Sequence, residues 1–267
     1  MRTMLWAAAL LLDALNAEAA IRARDLEYAQ GKTRLQGYLA FDDAVHGRRP
    51  GVLVIHEWTG INDYIKRRVG ELARLGYVAF AADIYGKGVR PSNPKEAAAQ
   101  ATIYRKDRAL MRARAAAGLK ALLGQKLVDP RRVAVIGYCF GGTTALELAR
   151  SGAAVAGTVS FHGGLDTPHP DDARQIKGKV LALHGGDDPH VPPAQVQAFE
   201  EEMRKARVDW QLDAYGGAVH SFTNPGSGDD PTKGVAYNER ADRRSWEAMK
   251  LFFNEIFAGP RGTAPKP

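Results

Sequence analysis

Arg132-Val133-Ala134-Val135-Ile136-Gly137-Tyr138-Cys139-Phe140-Gly141-Gly142 is the stretch around which the chain is organised. A β-branched run ends in Gly-x-Cys-x-Gly, and a helix-like segment, residues 143–150, follows at once. This is the pattern of a nucleophile elbow with a thiol in place of the usual hydroxyl. A strand turning that sharply into a helix leaves no room for side chains two positions either side of the nucleophile. Gly137 and Gly141 are therefore expected as steric necessities. A cysteine at a helix start also faces unpaired N–H groups, which favour the thiolate. The same five residues equally suit a buried, inert cysteine, so the rest of the chain has to decide.

Outward from the elbow, strand-like and helix-like segments alternate. Residues 51–55, 77–82, 155–161 and 179–184 are apolar runs of strand length, as expected for strands covered on both faces, and 210–215 is a further strand. Asn62 caps a helix to about Leu75, and Gly76 closes it. Residues 95–123 read as helical in two pieces around Lys106-Asp107. Residues 193–207 and 237–257 complete the helices, the last with Trp246, Met249, Phe252, Phe253 and Phe257 near helical spacing. Residues 26–30 and 33–41 form a hairpin about Gly31-Lys32. Asp129-Pro130 reads as a turn before the elbow strand, and 167–172 as a loop. The expected fold is α/β, with a mostly parallel, doubly wound sheet of about eight strands, an N-terminal hairpin and helices on both faces. One domain is expected over residues 20–258, with a flexible tail over 259–267.

The chain has 267 residues, 45% of them hydrophobic and 25% charged, which is ordinary globular composition. A net charge of +7 would suit anions. Its clusters (Lys66-Arg67-Arg68, Arg105-Lys106-Asp107-Arg108 and 240–244) fall on expected helices beside acids, so they read as solvated faces and not as a nucleic-acid surface. Cys139 is the only cysteine, which excludes an intrachain disulfide. Met1-Arg2-Thr3, the apolar run 4–12 and Ala17-Glu18-Ala19 read as a signal peptide over residues 1–19. That implies a periplasmic or secreted protein. The alternative is an amphipathic N-terminal helix on a cytoplasmic one. The run is too short to span a bilayer and no later stretch reaches ~18 apolar residues, so no membrane anchor is expected.

Ligands of an open α/β sheet sit beyond the carboxyl ends of its strands. Four loops placed there carry Glu57, Cys139, Asp188 and His220. Nucleophile, then acid, then histidine is the α/β-hydrolase order. Cys139 would attack a carbonyl, His220 would move the proton and Asp188 would orient His220. The backbone N–H groups of Phe140 and Trp58 would hold the oxyanion. Taken singly, Asp188 and Asp187 could each be a turn or cap residue, and His220 a surface histidine. Trp58, Tyr64, Tyr85, Tyr138, His162 and Phe222 could line a pocket or simply pack.

Gly137-Tyr138-Cys139-Phe140-Gly141-Gly142, His184-Gly185-Gly186-Asp187-Asp188-Pro189-His190-Val191-Pro192, residues 215–222, residues 56–62 and Ala82-Asp83-Ile84-Tyr85 together resemble the dienelactone hydrolase family. The resemblance covers about residues 26–257. It implies an α/β-hydrolase fold, a Cys139-Asp188-His220 triad and hydrolysis of lactones or esters with no cofactor. It assigns the acid to Asp188, four residues before Pro192. It also implies that Glu57 lies beside the thiol and helps control its protonation. Members that degrade dienelactone hold the substrate carboxylate with arginines, one of them four residues after the catalytic histidine. Asn224 stands there in this chain, which argues against dienelactone as the substrate. The second arginine has three candidates, Arg105, Arg108 and Arg112.

Thiol chemistry favours lactones and esters with acidic leaving groups over peptides, because a thiolate is expelled from an amide adduct more readily than an unprotonated amine. The expected partner is a small lactone or ester, on a monomer or small homo-oligomer. Competing readings fare worse. Redox chemistry lacks a resolving cysteine, and a non-catalytic binding module would be expected to have lost a triad member. A metal site lacks the second histidine of H-E-x-x-H, and Gly137-Tyr138-Cys139 breaks a dinucleotide fingerprint.

Overall fold

The computed structural model of the chain describes residues 20–258. The expected signal peptide over residues 1–19 and the expected tail over 259–267 lie outside the described residues. All eight strands join one sheet in the order β1-β2-β4-β3-β5-β6-β7-β8. Strands β1 (Ile21–Gln30) and β2 (Thr33–Asp42) form the hairpin, with Gln30 opposite Thr33 across a two-residue turn. Gly31 takes φ +56° there, a value that costs glycine little. Strand β2 then pairs antiparallel with β4 (Val78–Ala82). Every later pairing is parallel, through β3 (Arg49–Ile55), β5 (Val128–Tyr138), β6 (Gly157–Phe161), β7 (Lys179–Gly185) and β8 (Trp210–Tyr215).

Side chains alternate across a strand, so successive residues of each apolar run serve opposite faces. Val52, Val54, Ala134, Ile136, Val159 and Leu181 pack under α1 (Asp63–Arg74) and α6 (Glu239–Phe257). Leu53, Ile55, Phe80, Val133 and Val135 pack under α2 (Pro94–Lys106), α3 (Arg108–Leu123) and α4 (Phe140–Arg150). Val180 and Ala182 meet Leu146 of α4 and Phe199 and Met203 of α5 (Pro193–Ala206). Both faces need apolar cover, which is why these runs are continuous instead of alternating. The helices start where side chains can satisfy free N–H groups. The carboxamide oxygens of Asn62, Asn93 and Asn238 cap α1, α2 and α6, and Asp107 caps α3 while ending α2.

Two differences from the sequence reading have physical causes. Asp129-Pro130 is not a separate turn. It is an irregularity inside β5, where Arg49 pairs with Val128 but Gly51 pairs with Val133. The buried Asp129 carboxylate holds the excursion by accepting from the Arg131 N–H at 3.0 Å and from Arg132 Nε at 2.9 Å. Helix α4 begins at Phe140 and not near Thr143, so Gly141 and Gly142 are already helical, while Gly137 belongs to β5. Behind α4, the fully buried Arg150 donates to Glu202 and Glu147 and to the Leu165 carbonyl, and Glu147 also accepts from Arg112. This network ties α3, α4 and α5 together. Among the described residues no helix is long and apolar enough to cross a membrane.

Candidate active site

The strand-to-helix elbow at Cys139 is built by sterics. Cys139 has φ +53° and ψ −117°, a conformation that non-glycine residues adopt only under constraint. A Cβ on Gly137 would sit 1.9 Å from the Gly141 carbonyl oxygen, and one on Gly141 would sit 2.1 Å from that of Ile55. The structure thus meets the expectation for both glycines. The turn leaves Cys139 7% exposed, at the end of β5 and the start of α4.

Two other loops reach it. Asp188 follows β7, and His220 lies beyond β8, held by its N–H to Gly234 and its carbonyl to Ala236. Cys139 Sγ lies 3.0 Å from His220 Nε2, and His220 Nδ1 lies 2.8 Å from Asp188 Oδ2. A carboxylate can only accept, so Nδ1 carries the proton and Nε2 faces the sulfur. The second Asp188 oxygen accepts the His190 N–H at 2.8 Å. Asp187, its neighbour, points elsewhere and accepts the Gly217 N–H at 3.0 Å. Burial pushes the His220 pKa down, but the Cys139 charge and the Asp188 hydrogen bond outweigh it and raise the value to about 10. The arrangement therefore favours the protonated form of His220.

Phe140 is the first residue of α4, so its N–H has no partner within the helix. Among the described residues neither it nor the Trp58 N–H donates to another protein group. The Trp58 loop, after β3, is fixed by its carbonyl, which accepts from Tyr85 Oη at 2.8 Å. Tyr85 is itself placed by Asp83, whose carboxylate accepts the Tyr85 and Gly86 N–H groups. The other Asp83 oxygen accepts the Gln36 N–H of the hairpin. His56 donates from Nδ1 to the Glu57 carbonyl and accepts the Ile84 N–H on Nε2, joining the loops after β3 and β4. Complete burial lowers its pKa and keeps it neutral.

Glu57 has hydrogen-bond partners of its own beside the His220 loop. Its carboxylate accepts from Ser221 Oγ at 3.0 Å and from Asn224 Nδ2 at 2.7 Å. The hydrogen bond of Cys139 Sγ is to His220. Burial raises the Glu57 pKa, opposed by the Ser221 and Asn224 hydrogen bonds and the His220 charge. Asn224, noted in the sequence only as a missing arginine, is thus a direct partner of Glu57.

The pocket expectation needs correcting. Tyr138, His162 and Phe222 are fully buried and line no accessible surface. Tyr138 ends β5 on the face covered by α1 and α6 and stacks on Phe161 at 4.7 Å. Phe222 packs on His162 and Tyr215. Tyr64 is 8% exposed, and its hydroxyl bonds Thr223 Oγ1 at 2.6 Å. Of the arginine candidates, Arg112 pairs with Glu147 and Asp172, and Arg108 with Asp166. Arg105 is exposed. A cavity of about 330 Å³ lies away from Cys139, between α1 and α6, lined by Arg68, Asp242 and Trp246 among others. Among the described residues no cluster of three or more His, Cys, Asp or Glu side chains could hold a metal ion.

Comparison with known proteins gives one consistent result. The model of the dienelactone hydrolase family matches residues 35–257. A Synechocystis protein named "Putative carboxymethylenebutenolidase" is 31% identical over 82% of this chain and 91% of its own length. The solved structure titled m3DLH is 44% identical, with a TM-score of 0.86 over 90% of this chain and 100% of that one. The structure of P91, described as a dienelactone hydrolase-like promiscuous phosphotriesterase from metagenomic libraries, is 43% identical, with a TM-score of 0.85 over the same shares.

Proposed function

The chain belongs to the dienelactone hydrolase family, and we propose that it is a carboxylic ester hydrolase that cleaves a small lactone or activated ester through Cys139. The observation that carries this reading is the Cys139 Sγ to His220 Nε2 approach of 3.0 Å, with Asp188 behind the imidazole. The Cys139 thiolate attacks the acyl carbon, and the N–H groups of Phe140 and Trp58 take up the oxyanion charge. The His220 imidazolium protonates the departing oxygen. The thioester is then hydrolysed by water that gives its proton to His220, and the thiolate returns. Asp188 holds the Nδ1–H tautomer throughout.

The site bears on substrate class. Glu57 is buried near His220, and its two accepted hydrogen bonds work against the rise that burial causes. A carboxylate brought by the substrate would find a second carboxyl group here and no arginine at position 224. Uncharged lactones and esters fit better than anionic ones. The name of P91 favours one further reading, a side activity on phosphotriesters. A triester with an acidic leaving group offers the thiolate a comparable displacement.

A panel of lactones, esters, thioesters and one phosphotriester, run on wild type and Cys139→Ala, tests the proposal. Turnover by wild type alone, with a covalent adduct on Cys139 seen by mass spectrometry, is expected. Equal turnover by both would reject the mechanism. Export is proposed from the 1–19 pattern. Intact mass of the mature protein should show a start near residue 20, and a product beginning at Met1 would reject it.

A further inference from the structure

His162 lies directly beneath the elbow, fully buried, and the mechanism above makes no use of it. Its Nδ1 accepts the Cys139 backbone N–H at 3.1 Å, sharing it with the Phe161 carbonyl at 3.0 Å. Its Nε2 lies 2.7 Å from Thr223 Oγ1, three residues beyond His220. We propose that His162 is a positioning residue: its imidazole ties the Cys139 backbone to the His220 loop and so sets the approach of Cys139 Sγ to His220 Nε2. This rests on the reading of Cys139 as nucleophile.

The contacts close a ring. From Cys139 Sγ it runs to His220, along the chain to Thr223, across to His162 and back to the Cys139 N–H. Proton positions in the imidazole follow from chemistry. A backbone N–H can only donate, so Nδ1 is bare and Nε2 carries the hydrogen that Thr223 Oγ1 accepts. A neutral ring is required, and burial together with the His220 charge holds the His162 pKa well below its ordinary value. Both ring nitrogens of His162 are engaged, by the Cys139 N–H and by Thr223 Oγ1, so His162 acts on the elbow and the base loop and does not itself take the thiol proton.

Backbone strain collects on the same ring. Of the four non-glycine residues with positive φ among the described residues, three are Cys139, His162 at +41° and Ser221 at +61°, and the fourth, Arg207, ends α5. Strained residues persist where surrounding contacts over-determine them. Here the contacts are present. The His162 N–H donates to the Leu183 carbonyl at 2.8 Å. Thr223 Oγ1 bonds Tyr64 Oη, and the Thr223 carbonyl accepts from Arg68 Nη2 at 2.9 Å. Arg68 is fixed in turn by Glu71, Asp242 and the rings of Tyr64, Tyr138 and Trp246. The ring thus stands on the α1–α6 face of the molecule.

Three variants separate the links. Thr223→Val removes the hydroxyl, and Thr223→Ser restores it. His162→Asn tolerates positive φ and keeps an acceptor near the Nδ1 position, but its shorter side chain ends short of Thr223. Each is assayed for the pH profile of Cys139 alkylation by iodoacetamide and for kcat and KM on an ester that wild type cleaves, with circular dichroism as the check on folding. Thr223→Val and His162→Asn should lose about 10–100-fold in kcat and in alkylation rate at neutral pH, with KM changed by no more than about twofold, and Thr223→Ser should recover most of the loss. Folded variants with a lowered Tm but a wild-type alkylation profile and kcat would overturn the proposal. If His162→Asn does not fold, the Thr223 pair decides alone. Alkylation needs no substrate, so it tests the ring separately from the nucleophile reading, which stands or falls with the turnover of Cys139→Ala.

Discussion

Asn224 donates its side-chain amide to the Glu57 carboxylate at 2.7 Å, across 167 residues of sequence. With Ser221 on the other oxygen, the carboxylate is held by the two residues one and four positions after His220. A cation in place of Asn224 would neutralise Glu57 and offer a partner to an anionic substrate. Asn224→Arg should therefore raise the kcat/KM ratio for a carboxylate-bearing ester over its neutral analogue by about tenfold, or about 1.4 kcal/mol. Paired kinetics on two such esters check this, and an unchanged ratio would remove Glu57 from the account of specificity.

Asp188→Asn should lower kcat by about 100-fold or more, because the amide no longer enforces the Nδ1–H tautomer or stabilises the imidazolium. The pH profile should also move in a fixed direction. Asp188 raises the His220 pKa, which stands at about 10. The wild-type kcat/KM should therefore fall on the alkaline side near pH 10, and the variant's alkaline limb should shift to lower pH. A limb that stays in place would assign that ionisation to another group.

One substitution at two glycines should give opposite outcomes. Gly137→Ala drives a methyl to 1.9 Å from the Gly141 carbonyl oxygen, a backbone atom that cannot move without undoing the elbow. Little folded protein is expected. Gly31→Ala meets nothing within 4 Å and suffers only its φ of +56°. It should lose about 1 kcal/mol in urea unfolding and retain full activity.

Acid should destabilise the fold through histidines held neutral. His56 and His162 are fully buried, and burial depresses both values. Below their unfolded pKa of ~6.5 the unfolded chain binds protons that the native chain does not, so stability falls with pH at up to about 1.4 kcal/mol per unit for each. Glu57, raised by burial, runs the opposite way and softens the slope. His220 contributes fully below ~6.5, and its contribution is lost as pH rises through about 10. Urea unfolding from pH 7 to pH 4 reads the acid limb. His56→Gln should flatten it, and an unchanged slope would exclude His56 as a source.

Much of this was legible in the sequence because apolar runs and strand-end placement are local signals. Cys139, Asp188 and His220 each follow a strand, so their meeting could be expected from topology alone. The start of α4 was misplaced because Gly141 and Gly142 are poor helix formers, and the tertiary demand of the elbow overrides that preference. Tyr138 and Phe222 were read as possible pocket walls. Which way a strand-end ring points depends on the cover from α1 and α6, which no spacing encodes. The links from Ser221 and Asn224 to Glu57, and from His162 to Cys139, join residues far apart in sequence and leave no periodic trace.

The strand order also governs when activity can arise. Strand β2 leaves the hairpin early, yet its inner partner β4 comes later in the chain, with β3 made in between and inserted on β4's other side. Cys139 and His220 are 81 residues apart and meet only after β5 to β8 have paired side by side. Such non-local pairing is slow, since loop closure precedes its reward. Refolding should therefore restore helical signal first and turnover last, with catalysis marking the completion of the sheet.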